Sequence, residues 1–332
     1  MHFEKYLLAL SAIAICASAS RFDREWNSWK SKYGKKYVSP SKELYRRKAW
    51  EATWEKVQKH NQLADQGLTS YRMAMNHFAD LTTEERNSKN CLLSKGTSQT
   101  PKINSYSHAQ SSTIPDEVDW RKSNCMSPPR DQGDFCGSCW AFATVGVIES
   151  RYCIKTNKLL KLSEQQLVDC DEHDDGCCGG LPVQALDYVA QNGVMMRKDY
   201  EYSEKKATCE YEPEKAIMLN VTKYYMLPSE ENMAAAVAFE GPLTVGIGVT
   251  EDFMLYNGGI FEGSCAEEPN HAIVIVGYGT EPAEDEDEED TDYWIIKNSW
   301  GEKWGEKGFG RMKRNIDQCQ ISNMVATIDF TV

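Results

Sequence analysis

The sequence predicts an α+β protein with two lobes and a cleft between them, preceded by a mainly helical N-terminal segment. Three observations carry this expectation. Aromatic and apolar residues recur at three- and four-residue steps before residue 87, a second helical stretch runs from Cys139 to Cys170, and beyond Gly241 short β-rich runs alternate with glycines and acidic loops. A helical half followed by a strand half favours segregated layers with a binding cleft where they meet. With 332 residues, 41 % of them apolar, the chain can build one large domain or two modest ones.

The long apolar run Tyr6 to Ala19 follows Lys5 and ends in Ala17-Ser18-Ala19. It is too short to cross a bilayer, so residues 1–19 read as a cleaved secretory signal and no membrane anchor is expected. An N-terminal strand or core helix is the alternative, disfavoured because nothing polar alternates through the run. Of the twelve cysteines, the eleven beyond Cys16 would then enter an oxidising lumen, where disulfides form and last. Lysosome and extracellular space both remain open as destinations. Zinc is the competing use of cysteine, but Cys177 and Cys178 are adjacent and the one Cys-x-x-Cys spacing, Cys136 to Cys139, has no companion. Neither a metal nor a cofactor is expected.

From Arg21 to about Arg86, Trp26, Trp29 and Tyr33, then Trp50, Trp54 and Val57, mark amphipathic helices. Ser39 is placed to cap the second, Pro40 fits its first turn and Gly67 its end. Asn87 to Ser112 is polar and aperiodic and reads as an exposed, cleavable linker. Up to Ser112 there are 18 Lys and Arg against 10 Asp and Glu, a net +8; from Thr113 on, 19 against 40 give −21. Two parts that attract one another explain this split better than a nucleic-acid binder, which needs its positive charge on the folded domain.

In the second part, Cys139 to about Lys155 reads as a helix, and Ser163-x-x-Gln166 is a capping-box pattern opening another to Cys170. Strands are expected over Leu243 to Val249, Ala272 to Gly277 and Tyr293 to Ile296. Glu281 to Asp292 holds nine acids in twelve residues, a run that reads as a solvated loop between strands, with cation binding or a basic partner as lesser alternatives.

The most informative string is Gln132-Gly-Asp-Phe-Cys136-Gly-Ser-Cys139-Trp140. Cysteine attacks as thiolate, and a helix start favours the thiolate through its N–H groups and dipole. By itself this arrangement is equally an ordinary packed helix start. The string Cys-Gly-Ser-Cys-Trp, however, resembles the nucleophile motif of papain and the cathepsins, which is followed 130 to 150 residues later by a histidine. His271, in Asn270-His271-Ala272, lies 132 residues downstream, and Asn298-Ser299-Trp300-Gly301 resembles the family's asparagine motif. His173, the other histidine of the acidic part, sits in a polar run and reads as solvated.

The resemblance implies a papain-like cysteine endopeptidase over residues 113–332, with a helical left lobe and a β-barrel-like right lobe. Cys139 would form an acyl-enzyme, His271 would pair with the thiolate and protonate the leaving amine, and Asn298 would orient the imidazole without adding charge. Trp300 would shield that contact. The Gln132 amide and the Cys139 N–H would hold the oxyanion, and losing one such donor costs ~3 kcal/mol of barrier. Gly179 and Gly180 would bind an extended peptide. Leu181, Pro182, Gly246, Ala272 and Met324 would line an apolar S2 pocket, disfavouring Arg at P2.

Residues 20–112 resemble the inhibitory propeptide of the cathepsin L type through Glu43, Arg47, Trp50, Val57 and Asn61, then Asn76, Phe78 and Asp80, with Thr53 standing where asparagine is usual. Such a propeptide lies through the cleft in a non-productive direction. A two-helix segment would scarcely bury enough surface to be an independent domain. The wall and Met324 resemble the cathepsin F type instead. The resemblance also implies bridges Cys136–Cys177, Cys170–Cys209 and Cys265–Cys319, cystatin-like inhibitors as partners beside polypeptide substrates, and a monomeric mature form. With Cys16 lost with the signal, Cys91 with the propeptide and Cys139 free as nucleophile, Cys125, Cys153 and Cys178 are left over, and Cys125 with Cys153 is one pairing among them. Asn220-Val-Thr222 is a glycosylation sequence. A silent homologue and an exopeptidase are the competing readings; the first is disfavoured by the intact set Gln132, Cys139, His271 and Asn298, the second by the lack of a histidine in the acidic insertion.

Overall fold

Residues 22–87, 104–105, 113–227, 229–283 and 289–331 are described by a computed structural model. The expected signal, most of the Asn87–Ser112 linker, and residues 284–288 of the acidic run lie outside them. Helix α1 covers residues 22–33 and α2 Pro40–Ala64. Ser39 Oγ accepts from Lys42 N at 3.2 Å, with Pro40 in the first turn. The far end closes with Leu68 N donating to Leu63 O at 2.9 Å, a return that needs the left-handed φ of +71° at Gly67. Helix α2 buries Trp50, Thr53 and Val57; Trp50 meets Trp26 and Trp29 of α1, while Val57 joins the larger core with Tyr71, Met73 and Phe78. These two tryptophans stack at 5.4 Å, a small aromatic core separate from the rest.

Strand β1 (Tyr71–Met73), helix α3 (Thr83–Asn87) and short strands β2 (Asn104–Ser105) and β3 (Val118–Asp119) lead into a helical region. There lie α4 (Cys139–Thr156), α5 (Glu164–Cys170) and α6 (Pro182–Asn192), followed by the small pair β4 (Val194–Met195) and β5 (Ala216–Ile217). Next come β6 (Asn220–Met226), α7 (Glu230–Phe239), β7 (Leu243–Ile247), α8 (Glu251–Met254), β8 (Tyr256–Phe261), β9 (His271–Glu281), β10 (Thr291–Lys297), β11 (Phe309–Lys313) and β12 (Met324–Thr331). The main sheet runs β1-β8-β11-β10-β9-β7-β12-β6-β2, with β3 on β9. One core gathers β7, α8 and β8 residues such as Val245, Phe253 and Phe261; the other packs α4, α5 and α6 against Ala272, Val274 and Ile328. The architecture is α+β, with two lobes and a helical N-terminal segment.

Two local expectations are corrected. Gln166 N does donate to Ser163 Oγ at 3.1 Å, but the Gln166 side chain does not return to Ser163. Its amide reaches Tyr188 Oη and the Gly193 carbonyl instead, because Ser163 N is already bonded to Met195 O. The strand expected from Ala272 to Gly277 extends to Glu281, since Thr291 to Lys297 pairs along its whole length.

Candidate active site

Cys139 is the first residue of α4 and Ser138 its N-cap. His271 is the first residue of β9, opposite Ile247. The helix packs along the strand, with Val274 3.3 Å from where a side chain on Gly146 would begin. From that contact Cys139 lies seven helical residues back and His271 three strand residues back, each ~10 Å by the standard rises. Cys139 and Ala272 accordingly share one core cluster.

His271 Nε2 lies 2.8 Å from Asn298 Oδ1, and that oxygen also accepts from Ser299 N at 2.8 Å. Trp300 stacks on the imidazole at 4.4 Å with planes 26° apart. Nδ1, the other ring nitrogen, is buried with no hydrogen-bond partner among the described residues, so it is the atom left for a reacting group. Burial pushes His271 down to about 4, against the pull of the Asn298 hydrogen bond. The imidazole is therefore neutral near pH 7 here, and an imidazolium needs a nearby negative charge to form.

Gln132 is held against the asparagine motif: its N–H donates to Ser299 O at 2.8 Å and its Oε1 accepts from Ser299 Oγ at 2.6 Å. Its Nε2 donates to Cys136 O at 3.2 Å, which turns the amide toward the helix that Cys139 begins. Ser299 was not singled out from the sequence, although its place between Asn298 and Trp300 was the available signal.

The glycine wall depends on close approach. A Cβ on Gly180 would lie 2.5 Å from the Trp140 ring, and Gly179 has φ of +131°. Leu181 caps α6 and its N–H donates to Asp174 Oδ1 at 2.7 Å, while Pro182 begins the helix. Gly246 pairs with Ala272 on one side and with Met324 on the other, so these three form one row across β9, β7 and β12. Helix α6 packs on β12. Among the described residues four disulfides are present, Cys125–Cys153, Cys136–Cys177, Cys170–Cys209 and Cys265–Cys319; Cys139 stands outside them and Cys178 is an exposed thiol. Asn220 is exposed at the start of β6, its Nδ2 donating to Thr331 Oγ1 at 2.8 Å.

The N-terminal segment docks on this site's right-hand lobe. Tyr71 and Met73 of β1 pair with β8, and Asn61 holds β1 from behind through both the N–H and the carbonyl of Met73. Asn76 Nδ2 donates to Met254 O at 2.7 Å, and Phe78 meets Trp300. Glu43 pairs with Lys30, Arg47 with Asp23 and Glu51, and Asp80 with Lys35 and Tyr37. Thr53, the unusual residue, accepts both Arg86 nitrogens at 3.2 Å and thereby aims that guanidinium at Glu251. A groove of about 500 Å³ remains between Tyr37 and Arg46 on one side and Gln132, Phe135 and Trp300 on the other.

A helix-borne thiol and an amide-held imidazole, with the chain's own N-terminal segment docked on Trp300 beside them, define a latent cysteine hydrolase. Residues 114–328 match the papain family of cysteine proteases and residues 26–85 the cathepsin propeptide inhibitor domain. The chain belongs to the papain family, as a cysteine endopeptidase made in proenzyme form. It is similar to cathepsin S of Bos taurus, 37% identical over 326 residues covering 96% of each chain. It is likewise similar to procathepsin L of Felis catus, 37% identical over 313 residues covering 92% of this chain and 91% of that one. The solved digestive procathepsin L 3 of Tenebrio molitor larval midgut superposes with a TM-score of 0.82 at 34% identity, covering 92% of this chain and 98% of that one.

Proposed function

We propose that Cys139, His271, Asn298 and Gln132 carry out peptide-bond hydrolysis, with apolar residues preferred at P2. The Cys139 thiolate attacks the scissile carbonyl carbon, and the oxyanion is held by the Gln132 amide and the Cys139 N–H. His271 gives its proton to the leaving amine; it then takes one from the water that hydrolyses the thioester. The observation that carries this reading is the buried His271 Nε2 to Asn298 Oδ1 contact at 2.8 Å beneath Trp300, which leaves Nδ1 open. The thiolate supplies the negative charge that an imidazolium at this buried position requires.

The P2 preference rests on the row Ala272, Gly246, Met324 together with Leu181 and Pro182, which offers no acid to an arginine. Propeptide removal is favoured by acid. The positive segment reaches the negative one through Lys56 with Glu251 and Asp252, and Arg86 with Glu251. His271 acts in the same sense: its depressed value means that forms exposing it bind more protons between pH 4 and the ordinary histidine range, so the closed form loses stability as pH falls. Secretory-pathway delivery, to the lysosome or outside the cell, agrees with four disulfides. Asn220 is proposed as a glycan acceptor, cystatin-like proteins as inhibitors, and the mature domain as a monomer.

The test is to acidify the purified precursor and follow a fluorogenic peptide with Leu or Phe at P2, with and without an epoxide that alkylates thiolates, beside a Cys139→Ala precursor. Hydrolysis abolished by both the epoxide and the substitution is the expected result. A wild-type chain that neither cleaves peptide nor takes up the epoxide at Cys139 defeats the reading.

A further inference from the structure

Both donors proposed for the oxyanion belong to one loop, Gln132 at its start and Cys139 at its end. Between them the chain bulges outward, leaving Phe135 86% exposed. Such a loop holds two donors in register only if its ends are fixed. One restraint is the Cys136–Cys177 disulfide and another is Asp131 Oδ1, which accepts from Gly133 N at 2.9 Å. Gln132 is further tied to Ser299, and another restraint comes from the segment after β4. Tyr202 Oη lies 2.8 Å from the Gln132 carbonyl and 2.6 Å from Ser138 Oγ.

Proton accounting gives this contact a direction. A carbonyl oxygen only accepts, so the one proton of Tyr202 goes to Gln132 O, and the Ser138 hydroxyl must donate to Tyr202. Burial, the largest influence on Tyr202, pushes its titration far above the ordinary tyrosine range, so the donor is never lost at working pH. Ser138 shows the same commitment from its own side. A serine at an N-cap ordinarily turns its oxygen onto the first-turn N–H groups, yet Ser138 makes no such bond. Its hydroxyl is drawn to Tyr202 instead, and the helix start is left to an anionic guest. The ring of Tyr202 stands edge-on to Phe142 at 4.9 Å and 89°, and Ser203 N donates to Gln165 Oε1 at 2.8 Å, so the hydroxyl is offered from a fixed platform. A buried tyrosine needs one partner to be satisfied. Here it has two, one at each end of the same loop.

We infer that Tyr202 is a positioning residue for the oxyanion site, its hydroxyl linking the Gln132 carbonyl to the Ser138 hydroxyl and so setting the distance between the two oxyanion donors. This inference rests on the proposed roles of Gln132 and Cys139. The test uses the full-length precursor carrying Tyr202→Phe, activated in acid, its active sites counted with the thiolate-directed epoxide. A peptide aldehyde forms a hemithioacetal oxyanion, whereas iodoacetamide alkylates the thiolate without forming one. With a misplaced donor, kcat and aldehyde affinity should each fall about tenfold, while KM and the iodoacetamide rate stay unchanged. Ser138→Ala, which breaks the same relay and keeps the ring, should reproduce the loss, and in a Gln132→Ala background Tyr202→Phe should add little. Unchanged aldehyde affinity in both variants, or an equal loss of iodoacetamide reactivity, overturns the inference. A wild-type chain that binds no aldehyde overturns the underlying reading instead.

Discussion

Phe78 stands edge-on to Trp300, ring centroids 5.4 Å apart and planes at 82°. The same indole is stacked on His271, so the N-terminal segment rests on the ring that lies against the imidazole proposed as the catalytic base. Truncating a buried phenylalanine costs ~3 to 5 kcal/mol in a core. Phe78→Ala should therefore loosen the segment at its most sensitive point. The expected outcome is measurable peptide hydrolysis by the uncleaved precursor at neutral pH, where the parent precursor is silent; equal silence in both would remove Phe78 from the inhibitory contact.

Glu251 gathers the electrostatic contact between the two parts. Burial pushes its carboxyl up, but hydrogen bonds from Lys56 and Thr83, with the Lys56 and Arg86 charges, hold it below the ordinary glutamate range. A carboxylate of this kind stabilises the closed form above that range and ceases to do so as pH falls through its lowered value. Glu251→Gln should remove the contribution at neutral pH and shift the onset of self-processing to higher pH. Following precursor cleavage on gels across a pH series checks this, and an unmoved onset refutes it.

Asp174 carries the opposite sign. Burial and then the neighbouring Asp171 charge push it up to about 8, and buried Oδ2 atoms on both residues lack a donor, which one proton held between them supplies. Because the folded form keeps a proton that the unfolded chain gives up near pH 4, stability falls as pH rises from there to about 8. Asp174→Asn retains an acceptor for Leu181 N and needs no proton. It should raise the melting temperature at pH 7 to 8 and leave it unchanged near pH 4; a uniform shift at both would contradict the account.

Met324 sits at the end of the row that includes Gly246 and Ala272. Met324→Glu places a carboxylate at the proposed base of the apolar pocket. Peptide libraries should then show Arg rising and Leu falling at P2 in kcat/KM, by about tenfold or more for a newly paired charge. An unaltered P2 profile would place Met324 outside the pocket.

Features set by short-range chemistry were legible in the sequence. Ser39 and Pro40 announce the start of α2, and the glycine-serine turn announces α4 at Cys139, because caps and turns depend on neighbours within four residues. Long-range pairings were not legible from local chemistry; those that were expected, such as the Cys265–Cys319 bridge or the set Gly246, Ala272 and Met324, came only through the family resemblance. Nothing local says that Met324 lies beside Gly246, or that β12 joins β6 to β7 across a hundred residues. Thr53 looked like a defect in a helical pattern, yet its hydroxyl serves a guanidinium 33 residues away. Tyr202 gave no signal, since its partners Gln132 and Ser138 are 70 and 64 residues off. The charge split was visible as a total, but its concentration on Glu251 and Asp252, among the described residues, required the fold.

Cys139 has no exposed surface in this proenzyme, whereas Cys178 lies in the open. Oxidants reach a thiol according to its exposure and thiolate character. A lumen that builds disulfides is a hazardous place to store a sulfur nucleophile, and burial puts this one out of an oxidant's reach. The folded precursor thus preserves its sulfur while it waits: chemical ageing falls first on Cys178 and not on Cys139.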